Sequence, residues 1–149
     1  MNQPSLTIRA FEEPGRHVLV LRGELDMAGV PAFEDAAARV CELGRGELLV
    51  DISDVAFIDS TGVRAILKVK AACERIGCEF SMTHAGEQGE RLFELTRLLD
   101  HLPFRSRERP ERFRREIELW PDGSGVDGAA EAGGDASAAA TSSRRRSTP

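Results

Sequence analysis

An acid, two hydroxyls and a glycine stand in a row at Asp59-Ser60-Thr61-Gly62, between the apolar run Val55-Ala56-Phe57-Ile58 and a second apolar series at helical spacing. An oxygen of Asp59 or Ser60 can accept a hydrogen bond from the N–H groups that a helix leaves unpaired in its first turn. Thr61 lies deeper into the helix start and is a second candidate for capping it. Gly62 lets the backbone turn tightly and come close to another surface. Strand, loop and capped helix thus account for all four residues. A hydroxyl at a helix N-terminus, on the strand-end side of an open α/β sheet, also stands where such folds place functional groups.

Other residues with chemical potential converge less well. Asp26, Asp51 and Asp59 could offer oxygen ligands to a divalent cation, but Asp51 falls inside an apolar run and no general base accompanies the three. His17, His84 and His101 are scattered, no P-loop is present, and the single GxGxxG, at Gly123–Gly128, follows no strand pattern and opens no helix pattern. These absences argue against an enzyme and for no cofactor, no metal and no nucleotide site. Cys41, Cys73 and Cys78 fit neither a zinc spacing nor a CxxC motif and read as buried or half-buried thiols of a reducing cytoplasm.

The elements that must position the joint follow from periodicity. Leu6, Ile8 and Ala10 alternate with polar residues, Pro14-Gly15 marks a turn, and His17–Gly23 reads as the second strand of a hairpin. Phe33, Ala37, Val40 and Cys41 recur at helical spacing, with Pro31 near the front and Gly44 as the stop. Glu47–Ser53 is a short, nearly continuous apolar run, the pattern of a strand buried on both faces. Thr61–Ile76 reads as a helix with Val63, Ala65, Ile66, Leu67, Val69, Ala72 and Ile76 apolar and Arg64, Lys68 and Arg75 on a narrow basic side. Next come a strand at Cys78–His84, a helix at Glu87–Leu99, a short edge strand in His101–Ser106 and a helix at Pro110–Trp120 carrying Phe113, Ile117 and Trp120. The order ββαβαβαβα makes a single α/β domain over residues 1–120, with a mixed four- to five-stranded sheet and about four helices. Residues 121–149 carry no aromatics and almost no large apolar side chains, the composition of a disordered tail ending in a basic run.

Composition narrows the partners. The chain has 149 residues, 41% hydrophobic, enough for one core. A net charge of −5 argues against nucleic acid, which attracts a basic surface. No basic start followed by an apolar run suggests a signal peptide, and no apolar stretch approaches the roughly 20 residues of a membrane span. The expectation is a soluble, cytoplasmic protein without membrane insertion.

The stretch Leu48–Leu67, "LLVDISDVAFIDSTGVRAIL", resembles the core motif of STAS domains, and specifically of anti-sigma factor antagonists. "GELD" at Gly23–Asp26 and "RLFELTRLLDHLPF" at Arg91–Phe104 are similar to other recurrent segments of that family. Arg97-Leu98 stands where relatives often have Gly-Leu, and Gly29 replaces a small hydroxyl that often caps the first helix. The resemblance implies that Ser60 is phosphorylated by a partner that is both anti-sigma factor and serine kinase. The unphosphorylated form binds that partner and releases its sigma factor, and a serine phosphatase resets the switch. Asp26, Asp59, Ser60, Thr61, Gly62 and Arg64 are the implied partner-binding residues. The family also contains adaptor subunits of lipid-transport or stress-signalling complexes, which need no serine phosphorylation.

Overall fold

The computed structural model describes residues 6–44, 46–83, 102–105 and 113–121. Two antiparallel strands, β1 (Leu6–Glu13) and β2 (Arg16–Leu25), open the chain. Glu13 faces Arg16 across a two-residue turn in which Gly15 takes φ 80°, the position after Pro14 that a type II turn reserves for glycine. Helix α1 (Val30–Leu43) crosses over to β3 (Glu47–Ile58), and α2 (Ser60–Arg75) crosses over to β4 (Glu79–Thr83). Two short strands, β5 (Phe104–Arg105) and β6 (Arg115–Ile117), close the two edges, giving the sheet order β5-β4-β3-β2-β1-β6.

The two crossovers step in the same direction across the sheet, and right-handed connections then put both helices on one face. The main core lies between them and the sheet. Leu19, Leu21, Leu48, Val50 and Ile52 point into it from the strands, and Phe33, Ala36, Val40, Ile66 and Cys73 from the helices. The opposite sheet face carries a smaller cluster of Phe11, Val18 and Leu49. Residues Leu48–Val50 are therefore buried on both sides, as their unbroken apolar run predicts.

Three expectations change. The sheet has six strands, because the segment expected as a last helix turns out to contain β6. Over residues 113–121 there is no helix, and Phe113 is 74% exposed. Arg115–Ile117 instead pairs antiparallel with Ala10–Glu12 and covers the edge of β1. Strand β3 continues five residues past Ser53 to Ile58, so the run Val55–Ile58 belongs to the same strand. Only Val55 and Ile58 of that run are buried; Ala56 and Phe57 are exposed. The expected helix at Glu87–Leu99 and the tail after residue 121 lie outside the described residues. Among the described residues there are two helices, and neither is long and apolar enough to cross a membrane.

Candidate functional site

Strands β2 and β3 run parallel, and their last residues, Leu25 and Ile58, are partners. The segments that follow, Asp26–Gly29 and Asp59–Gly62, therefore leave the same edge of the sheet side by side. The Asp59 N–H donates to the Leu25 carbonyl at 3.4 Å, which ties the two exits together. This is the carboxyl end of the parallel strands, where open α/β sheets gather functional groups.

Each exit is fixed by an aspartate. Asp59 keeps an extended backbone and its Oδ1 accepts from the Gly62 N–H at 2.9 Å, capping α2. Of the capping candidates Asp59 is the one used; Thr61, expected as a possible cap, lies inside the first turn and does not cap. Asp26 Oδ1 accepts from the N–H groups of Ala28 and Gly29, both at 3.1 Å. Its carbonyl also receives the Gly29 and Val30 N–H groups. The carboxylate of Asp26 thus fixes the turn that leads into α1, while the helix itself, with Gly29 at its N-cap, has no side-chain cap.

Gly62 explains how α2 sits so near β2. It is buried, and a methyl group there would land on the Leu25 carbonyl oxygen and within 3.1 Å of the Ile58 and Leu25 side chains. Helix and strand end touch backbone to backbone. Ser60, two residues earlier at the first position of α2, is exposed, and Thr61 is half-buried. The Ser60 hydroxyl is held on a rigid mount with free access from solvent.

Family comparisons agree with this fold. The family model described as "Mlab, STAS domain" matches residues 9–103. The chain belongs to the STAS domain family, among the anti-sigma factor antagonists. An anti-sigma-B factor antagonist of Staphylococcus aureus is 30% identical over 96 residues, which cover 64% of this chain and 89% of the relative. The crystal structure of an anti-sigma factor antagonist from Mycobacterium paratuberculosis superposes with a TM-score of 0.58 at 29% identity, covering 69% of this chain and 87% of that one. The fold alone is shared with the antagonist SpoIIAA in its unphosphorylated form, at TM-score 0.55 and 18% identity, with 66% of this chain and 88% of that chain covered.

Within this STAS domain the predicted residues divide. Asp26, Asp59, Ser60, Thr61 and Gly62 come together at the two strand exits. Arg64 follows one turn along α2 and is exposed. The rest of the basic stripe is partly neutralised, since Lys68 Nζ reaches Glu34 Oε2 of α1 at 3.2 Å. Asp51 is not part of the site. It lies eight residues up β3 from Asp59, roughly 25 Å at strand spacing. Its Oδ1 accepts from the Ser53 N–H and hydroxyl and from the Thr83 hydroxyl, at 3.0, 2.6 and 3.2 Å. The three aspartates therefore form no cation site.

Two features escaped the sequence reading. Met27 is 71% and Phe57 43% exposed, and they flank Asp26 and Asp59 in the two exits. Large apolar side chains left in water beside a candidate site suit a docking surface. Phe57 was hidden inside an apolar run, and only the strand's bulged register turns it outward. The second feature is the cysteines. Cys41, Cys73 and Cys78 gather their sulfurs within 4.8 Å of one another. The Cys41 thiol, hydrogen-bonded to Cys73, is drawn down to about 7, whereas its neighbour Cys73 is pushed up by the same contact and by burial. Burial raises Cys78 as well.

Proposed function

We propose that this chain is an anti-sigma factor antagonist switched by phosphorylation of Ser60. The unphosphorylated form binds an anti-sigma factor that is also a serine kinase, and binding releases the sigma factor. Phosphorylation ends the complex, and a serine phosphatase restores the binding form. The chain itself carries no catalytic residues; it is the binding module and the substrate. The observation that supports this most is the exposed Ser60 hydroxyl at the first position of α2, mounted between the capping Asp59 and the buried Gly62. Asp26, Thr61 and Arg64, with the apolar Met27 and Phe57, complete the proposed contact surface.

The physics of the switch is simple. A phosphate brings about −1.5 to −2 charges near neutral pH. At a helix N-terminus that charge is favourable by about 0.3–2 kcal/mol, so the fold tolerates it. In an interface it must be desolvated beside Asp59 and near Asp26, and about 2.7 kcal/mol is enough to weaken binding a hundredfold. The test has two steps. Intact mass and peptide mapping of the protein from its native cell, in growth and under stress, should find one phosphate at Ser60 that changes with condition. The isolated phosphoprotein should then bind the anti-sigma factor at least a hundredfold more weakly than the unmodified chain. Phosphate confined to Ser142, Ser143 or Ser147, or equal binding by both forms, refutes the switch.

The second reading is an adaptor subunit of a lipid-transport or stress-signalling complex. Its support is that the matched family model carries the Mlab description rather than that of an antagonist. Absence of phosphate in every condition, with co-purification of a membrane transporter, would select it.

A further inference from the structure

The cysteine cluster lies at the far end of α2 from Ser60, and its assembly has a local cause. Helix α2 ends in a Schellman turn: the Cys78 N–H donates to the Cys73 carbonyl at 2.8 Å and the Gly77 N–H to the Glu74 carbonyl at 3.2 Å. Gly77 takes the φ of 79° that this turn requires. The turn folds the residue after the glycine back over the last helical turn, a contact normally filled by two apolar side chains. Here both positions are cysteines. The third, Cys41, comes from the last turn of α1, packed alongside, and its sulfur lies 3.9 Å from that of Cys73.

We propose that Cys41, Cys73 and Cys78 form a metal site for a single Zn²⁺ ion. Zinc–sulfur bonds of about 2.3 Å in a tetrahedron set sulfurs about 3.8 Å apart. The Cys41–Cys73 pair is already at 3.9 Å. With all three sulfurs within 4.8 Å, no pair has to close by more than about 1 Å. The donors are rigidly placed, two by the turn and one by helix packing, so little ordering accompanies binding. Each thiol loses its proton to solvent and gives a lone pair to the ion. A divalent ion leaves one net negative charge in this buried place, where Cu⁺ would leave two, and burial disfavours the larger charge. Cys41 is the half-exposed member and lines the groove between α1 and α2 together with Glu34, Glu42 and Lys68. That groove is the entry path and the source of a fourth, solvent ligand.

The site is independent of the Ser60 reading. Its test uses the full-length chain, fully reduced and kept anaerobic, with Co²⁺ as the spectroscopic stand-in for Zn²⁺. The expected result is a thiolate-to-cobalt charge-transfer band that saturates at one equivalent and is abolished by one equivalent of Zn²⁺. Zn²⁺ should also raise the thermal midpoint, because it binds the folded chain. In Cys41→Ser, whose side chain faces the groove, the apparent affinity should fall at least tenfold while the circular dichroism spectrum stays that of wild type. If that variant does not fold, Cys41→Ala replaces it. No band with millimolar Co²⁺, or a band unchanged by the Cys41 substitution, overturns the proposal. So does binding of Cu⁺ without Zn²⁺, or a cluster that only loses two thiols to a disulfide on exposure to air.

Discussion

Asp59 and Gly62 hold Ser60 in place by different means, and their substitutions should separate. Asp59→Ala removes the cap on the Gly62 N–H and should cost about 1 kcal/mol in urea unfolding, without moving α2 far. Gly62→Ala is a contest of two effects. Alanine favours a helix by up to about 1 kcal/mol over glycine. Its methyl, however, meets the Leu25 carbonyl, a backbone atom tied into the sheet, and such overpacking costs about 1–3 kcal/mol. The collision should win, so Gly62→Ala should be less stable than wild type by urea unfolding and should also weaken partner binding by shifting the N-terminus of α2. Wild-type stability in Gly62→Ala would show that the close approach is dispensable. At this scale the sequence displayed the residue types of the joint but not their division of labour. Asp59, Ser60 and Thr61 can each accept a hydrogen bond, and only the extended backbone at Asp59 makes it the cap. The cysteines were illegible for a related reason: the turn at Gly77 joins positions 73 and 78, but Cys41 reaches them only through the packing of α1 against α2, which no linear spacing encodes.

Elements were legible where one period ruled. The hairpin, α1, α2 and β4 follow the alternation or helical recurrence of their apolar residues, and β3 is marked by its unbroken apolar run as far as Ser53. The segment 113–121 misled because Phe113, Ile117 and Trp120 recur at helical intervals, while the open edge of β1 offered hydrogen bonds that a strand could satisfy. Tertiary pairing overrode the local pattern. Ionic contacts then fix the choice: Arg9 bridges Glu116, Arg115 bridges Glu12, and Arg114 reaches Glu13. Glu13 is the buried member. Burial pushes its carboxyl up, but hydrogen bonds and charge from Arg16 and Arg114, at 2.7 and 2.8 Å, outweigh this and hold it below the usual range. A carboxylate lowered in the folded state adds stability above its unfolded value, about 4.3, and loses it as pH falls through the folded value. Glu13→Gln should therefore lower stability by about 2 kcal/mol at pH 7, with the gap to wild type shrinking steadily below about pH 4. Thermal unfolding of both proteins across that range checks it; a gap that stays constant into acid would mean that the charge contributes nothing.

For the whole molecule the question is where the folding unit ends. The family model stops at residue 103, yet the sheet continues to β6 and the core to Leu119. Arg39 of α1 donates to the Leu119 carbonyl at 3.0 Å, and the Trp120 indole N–H donates to Asp35 at 2.6 Å. Residues 113–121 therefore lock the outer edge of β1 to α1, the helix that follows the Asp26 exit. A chain cut after residue 112 loses the β6 ladder, the buried Leu119 and the Arg114 partner of Glu13. Burying one leucine contributes about 1.5–3 kcal/mol, and hydrogen bonds to a charged group add about 1.5–3 more. The cut should thus lower stability by at least about 3 kcal/mol, a large part of what a domain of this size possesses. A chain cut after Pro121 keeps all of these contacts and should unfold at the wild-type temperature, since the removed residues carry almost no large apolar side chains to bury. Calorimetry on the two truncations separates a family domain with an appended strand from one whose sheet needs that strand. Equal melting of both truncations would place β6 outside the cooperative unit, and strong destabilisation by the second would show that residues 122–149 belong within it.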